Sequence, residues 1–143
     1  MMRLVTGLLL AACTAAAAGC GGSSSPTSPS TTATTSTEFF SGGLSPAGSA
    51  FYSFTVTNAG AVSITLASTT ASKIGAAAEP TLSLSLGTPS GFGCAASTSD
   101  DVTPGLNAQL TTLSSAPGIY CVSLADSGDL TSSVLFVVRI VHT

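Results

Sequence analysis

Residues 52–66 read Tyr52-Ser53-Phe54-Thr55-Val56-Thr57-Asn58-Ala59-Gly60-Ala61-Val62-Ser63-Ile64-Thr65-Leu66. Tyr52, Phe54 and Val56 alternate with hydroxyl residues, Asn58-Ala59-Gly60 supplies turn chemistry, and Val62, Ile64 and Leu66 alternate again. A period of two puts each apolar triplet on one face of a half-buried strand, whereas a helix would need apolar residues at i, i+3 and i+4. The stretch therefore reads as two antiparallel strands joined by a short turn.

The same pattern runs outward in both directions. Glu38 to Leu44 is an expected strand ended by Ser45-Pro46-Ala47-Gly48, and Leu82, Leu84 and Leu86 form the cleanest alternation. Between them lies an expected loop through Lys73 and Pro80. Phe92–Ala96 and Ala108–Leu113 are further expected strands flanking a loop, Ser97–Asn107. After the turn Ala116-Pro117-Gly118, Ile119–Leu124 should turn Tyr120, Val122 and Leu124 inward. Asp126-Ser127-Gly128-Asp129 turns the chain once more. Val134-Leu135-Phe136-Val137-Val138 is apolar on both faces, the mark of a central strand covered on each side. About eight short strands without a helix predict an all-β fold, an antiparallel β-sandwich. The early strands are expected to form one layer and the late ones the other.

Residues 1–37 have a different composition. Met1-Met2-Arg3, the apolar run Leu4–Ala12 and the small residues Ala15–Gly19 have the order of a secretory signal, and the run is too short for a convincing membrane span. Ala17-Ala18-Gly19-Cys20 resembles a bacterial lipobox, which implies removal of residues 1–19 and lipidation of Cys20. Leu10-Ala11-Ala12-Cys13 fits that pattern better at its first position but leaves a very short apolar run and an unpaired Cys20. Cysteine parity favours Cys20. An ordinary cut among the alanines, releasing a secreted chain, is the other reading. Gly21 in place of Asp, by analogy with Gram-negative lipoproteins, permits sorting to the outer membrane. Residues 21–37 hold only Gly, Ser, Pro, Thr and one Ala, so residues 20–37 are expected to be a lipidated Cys and a flexible linker ahead of the domain at 38–143.

Charge is scarce: 3 basic and 6 acidic residues in 143, or 6%, against roughly 25% in ordinary soluble domains. Ser (24) and Thr (21) fill the gap. Removing residues 1–19 leaves Lys73 and Arg139 as the only cations, which excludes a basic nucleic-acid-binding surface. A disordered polyelectrolyte is excluded as well, because 44% of the residues are apolar.

The remaining cysteines, Cys94 and Cys121, fall in expected strands, and in an exported chain such a pair reads as a disulfide. A metal pair would want His or further Cys nearby. The bridge closes a loop of about 28 residues, worth roughly 3–4 kcal/mol in the chain-entropy account.

No catalytic residue is assigned. His142, the only His, is expected to be an exposed strand end, and Lys73 a solvated loop charge. Arg139 is expected on an edge or solvent-facing side, and no Ser sits in a nucleophile elbow. Asp100-Asp101 (in an expected loop) and Asp126 with Asp129 (in an expected turn) are the candidate calcium ligands; neither pair matches an EF-hand, and Asp in a turn more often bonds its own backbone. No metal site and no cofactor are assigned.

Several short segments in order resemble the bacterial pre-peptidase C-terminal domain. They are Phe40-Ser41-Gly42 with Leu44, Pro46-Ala47-Gly48-Ser49 before Tyr52–Val56, Ala59-Gly60-Ala61-Val62, Leu82–Leu86, and Pro117-Gly118-Ile119-Tyr120-Cys121-Val122. The resemblance covers most of residues 38–143 and implies a jelly-roll sandwich. Such domains are usually appended to secreted enzymes, and some relatives bind polymers or calcium. Here the acidic residues that often precede the fourth strand are reduced to Glu79.

The expectation is a non-enzymatic, lipid-anchored protein of the cell envelope, exported and held at the outer membrane through its lipid. It would display the sandwich as a structural or interaction module to an envelope or extracellular partner. The alternative is a carbohydrate- or polymer-binding module, with calcium as a possible aid. Against it, the chain has no Trp, and Tyr52 and Tyr120 fall at inward positions.

Overall fold

The structure is a computed structural model and describes residues 34–72 and 79–143. The expected signal, the expected cut at Cys20, the rival Cys13, most of the expected linker and Lys73 lie outside the described residues. Eight strands form two antiparallel four-stranded sheets: β1 (Ser36–Leu44), β2 (Ser49–Val56), β3 (Gly60–Ala71), β4 (Leu82–Ser90), β5 (Gly93–Val102), β6 (Leu110–Ser115), β7 (Gly118–Asp126) and β8 (Val134–His142). One sheet has the order β1-β8-β3-β6, the other β2-β7-β4-β5.

That order is the nested pairing of a jelly roll, with β1 on β8, β2 on β7, β3 on β6 and β4 on β5. The chain acts as one long hairpin rolled up so that β3 also meets β8 and β4 also meets β7. Early and late strands therefore alternate within each sheet, which corrects the expectation of an early layer and a late layer. Local alternation says which face of a strand is apolar; it carries no information on which distant strand pairs with it.

The period-two faces form the core. Phe54, Val56, Val62, Ile64, Leu66, Leu82, Leu84, Leu86, Val122 and Leu124 are all buried, with Phe136, Val138 and Ile140 from β8 among them. Tyr120 packs partly buried against this cluster. Three expectations need correction. The first strand starts at Ser36, two residues before Glu38. The expected loop Ser97–Asn107 is strand as far as Val102, so Asp100 and Asp101 lie on β5. Residues 95–101 are all exposed, and a strand without a buried face has no alternation to read; its backbone bonds to β4 define it.

The third correction concerns β8. It is an interior strand, between β1 and β3, but its outer face is only partly covered: Leu135 is 58% exposed. Farther along that face Arg139 Nη2 donates to Leu106 O of the segment after β5 (3.1 Å), and the same segment bonds the edge of β3 beyond β6. Gln109 donates its backbone N–H to Ile64 O (2.9 Å), its Oε1 accepts Leu66 N–H (2.7 Å), and Gly105 N–H donates to Leu66 O (2.9 Å). These bonds occupy β3 backbone groups beside its bulge at Leu66/Ser68.

Turns and termini sort onto two ends of the sandwich. The starts of β1 and β3 lie with the ends of β2, β4, β6 and β8 at one end, with the β4–β5 hairpin at its tip. The turn 45–48 and the long connections lie at the other. Gly48 N–H donates to Ser45 O (2.9 Å) around Pro46 and Ala47, and Ala47 has φ +56°. These are the features of a type II turn, with Pro at its second position and a left-handed residue at its third.

Candidate functional site

Among the described residues, the titratable cluster that joins the most elements is Glu38, Tyr52 and His142. On β1 the even positions face inward, so Glu38 follows the same phase as Phe40, Gly42 and Leu44 and points between the sheets. β1 and β2 are edge strands on the same side of the sandwich, which sets Glu38 against Tyr52 of the opposing sheet. The Tyr52 hydroxyl donates to Glu38 Oε2 at 2.7 Å, and His142 Nε2 lies 2.9 Å from Glu38 Oε1. A carboxylate only accepts, so Nε2 carries the hydrogen and donates it.

His142 is not the exposed strand end expected from the sequence; it is 3% exposed. Two packing features bury it. Phe54 packs on the imidazole with ring centroids 5.3 Å apart, and the last residue is pinned to the β2–β3 turn. There Thr143 Oγ1 donates to Asn58 O (3.0 Å) and Asn58 N–H donates to Thr143 O (3.4 Å). Around the cluster, Phe40 stacks on Tyr52 (5.6 Å) and meets Phe136 edge-on (5.0 Å), while Phe54 stacks on Tyr120 (6.2 Å). A side chain at Gly42 would stand 3.3 Å from the Phe136 ring, so the glycine makes room for that aromatic.

The electrostatics follow from these contacts. Burial pushes the Glu38 carboxyl up, but the Tyr52 and His142 hydrogen bonds and the His142 charge outweigh it, and the net shift is below the ordinary 4.5. The bond to Glu38 pushes the Tyr52 phenol above its ordinary 10.0, with burial adding to the shift. Nδ1 of His142 is buried without a hydrogen-bond partner. A shuttling imidazole needs one nitrogen facing a reactant. Here one nitrogen is held by Glu38 and the other faces the interior, an arrangement suited to joining β1, β2 and β8.

The other acidic residues are separate from this cluster. Asp126 is a backbone acceptor, as expected of Asp in a turn: Oδ2 takes Ala47 N–H (2.8 Å), and Oδ1 takes Gly128 N–H (2.9 Å) and Leu130 N–H (3.1 Å). The Ala47 bond, with those of the β7–β8 loop, holds its carboxyl below the ordinary range despite some desolvation. Asp100 and Asp101 line a shallow open groove with Ser83 and Ser99, and Glu79 lies in another beside Ser68 and Leu106. Among the described residues no group of three or more His, Cys, Asp or Glu side chains is placed to hold a metal. Arg139 is on the outer face of β8, an interior strand; its Nη2 donates to Leu106 O at 3.1 Å.

Cys94 of β5 is bonded to Cys121 of β7, with S–S 2.00 Å and Cα–Cα 5.7 Å. β4 lies between those strands, and in a flat sheet they would be roughly 10 Å apart. Gly87 explains the approach. It sits at a bulge in the β4–β5 register, and a Cβ there would lie 1.9 Å from Ala95 O. The β5 backbone thus crosses the space a side chain would fill, and the disulfide straps it to β7. Sequence reading found the cysteines but missed the role of Gly87, although a glycine inside a strand pattern is a recognised sign of close backbone approach.

Compared with known proteins, the chain matches no family model and no curated sequence.

Proposed function

We propose that this is a non-enzymatic, lipid-anchored protein of the cell envelope, exported by residues 1–19, acylated on Cys20, and displaying the sandwich as a structural or interaction module. The observation that carries it is the Cys94–Cys121 bridge. Bridges of this kind persist in oxidising compartments, which favours export. The bridge also accounts for two of the four cysteines, and a cut before Cys20 removes Cys13, so Cys20 is left as the single thiol for lipid. Use of the only His to tie strands together favours a display role over a catalytic one. The jelly-roll strand order supports kinship with the pre-peptidase C-terminal domain.

Metabolic labelling with radioactive palmitate tests the proposal. Label is expected in the wild-type chain and in Cys13→Ser, and is expected to vanish in Cys20→Ser. Equal labelling of Cys20→Ser, or none in the wild type, overturns the anchor.

A further inference from the structure

The sandwich is polarised along its strands. Glu79 precedes β4, Asp100 and Asp101 close β5, and Asp126 and Asp129 follow the end of β7, so five of the six acidic residues gather at one end. The sixth, Glu38, is turned between the sheets by Tyr52 and His142. The opposite end is built from the β2–β3 turn (57–59), the β4–β5 hairpin (90–93) and the β6–β7 turn (116–118), none of which holds a charged side chain.

That end, whose three turns carry no charged side chain, presents two large apolar side chains. Phe92 at the hairpin tip is fully exposed, and Ile119, beside the β6–β7 turn, is 61% exposed. Gly91 (φ +57°) makes the tight turn, and neither it nor Gly93 has anything within 4 Å of its Cβ position, so Phe92 stands clear of the domain. The Cys94–Cys121 bridge braces the hairpin one residue beyond Gly93. A braced tip loses little freedom on docking.

The direction of the chain says what this end faces. β1 starts here, since Ser36 pairs with His142, so whatever holds the chain at Cys20 holds the domain by this end. About 16 residues separate Cys20 from Ser36, and a random-coil chain of that length has a root-mean-square span of roughly 20–25 Å. On the anchored reading proposed above, on which this inference rests, we propose that the Phe92 end docks on the lipid surface. Phe92 enters the interface between headgroups and acyl chains, Ile119 follows at its margin, and the acidic end points away. Aromatic and aliphatic side chains suit that interface, and a second membrane contact strengthens a lipid anchor. An anionic surface repels carboxylates at short range, which fixes the same orientation.

The chain has no Trp, so Phe92→Trp installs a single reporter. The lipidated full mature chain carrying Phe92→Trp is reconstituted into vesicles of phosphatidylethanolamine and phosphatidylglycerol, with and without brominated acyl chains. Leu106→Trp, in the connection from β5 to β6, is the comparison. Flotation with the vesicles reports the anchor. Docking is expected to shift the Phe92→Trp emission to the blue and to make its quenching by brominated lipid several-fold stronger than that of Leu106→Trp. A chain that floats with no shift and equal quenching overturns docking and leaves the anchor standing. A chain that does not float overturns the anchor, and docking with it. The unaltered chain gives an independent readout: amide exchange at Gly91, Phe92 and Gly93 is expected to slow on vesicles, and unchanged exchange counts against docking.

Discussion

His142 Nε2 donates to Glu38 Oε1 at 2.9 Å across 104 residues of sequence, joining the first strand to the last. Tyr52 donates to the other oxygen from the opposing sheet, so one carboxylate holds β1, β8 and β2 together. Edge strands are commonly guarded by inward-pointing charges, and Glu38 gives β1 one.

The Glu38 latch makes stability depend on acid. Its folded carboxyl titrates below the unfolded value near 4.5, so in that window the unfolded chain binds more protons. Its contribution is complete above 4.5 and is lost as pH falls through the folded value. Thermal melts are expected to drop as pH falls through this range, and less steeply in Glu38→Gln. The raised Tyr52 phenol has the opposite sign: its contribution is complete below 10.0 and is lost as pH rises through the folded value. Identical acid limbs in wild type and Glu38→Gln would remove Glu38 from the latch.

Asp126 ties the β1–β2 turn to the β7–β8 loop through three backbone N–H groups. Asp126→Ala is expected to lower the melting temperature and speed amide exchange at Ala47, Gly128 and Leu130. Asp126→Asn is expected to keep the Gly128 and Leu130 protection through its carbonyl oxygen and lose that of Ala47, which would face an NH₂ group. Uniform protection in both variants would contradict the assignment.

These two sites show what was legible in the sequence. Turn chemistry at Asp126 and strand phases around Tyr52, Phe54 and Val56 are local, and local patterns could be read. The burial of His142 was not local. It depends on β1 pairing with β8, on Phe54 from the other sheet and on the Asn58–Thr143 clamp. One sign was present: Glu38 shares the inward phase of Phe40 and Leu44, and an inward carboxylate needs a donor. β5 escaped for another reason, since its exposed, polar second half differs from a loop only in its backbone bonds.

Ala47 has φ +56°, where an L residue carries a steric cost that glycine avoids. Ala47→Gly is expected to raise stability by up to about 1 kcal/mol, the relief being offset in part by the freer unfolded chain. Chemical denaturation measures it, and a clear loss of stability would contradict the turn assignment.

The disulfide and Gly87 act together. Reduction of Cys94–Cys121 is expected to cost roughly 3–4 kcal/mol and lower the melting temperature by about 10–20 °C. Gly87→Ala forces its Cβ into the Ala95 carbonyl and is expected to cost about 3 kcal/mol. An unchanged melt after reduction, or free thiols found by labelling unreduced protein, would contradict the bridge.

The most direct test of the envelope assignment is the intact mass of the mature chain extracted from cell membranes. Lipid anchoring predicts one species beginning at Cys20 and carrying a diacylglyceryl group on its sulfur. A chain beginning among Ala15–Gly19, or one beginning at Cys20 without lipid, would contradict it.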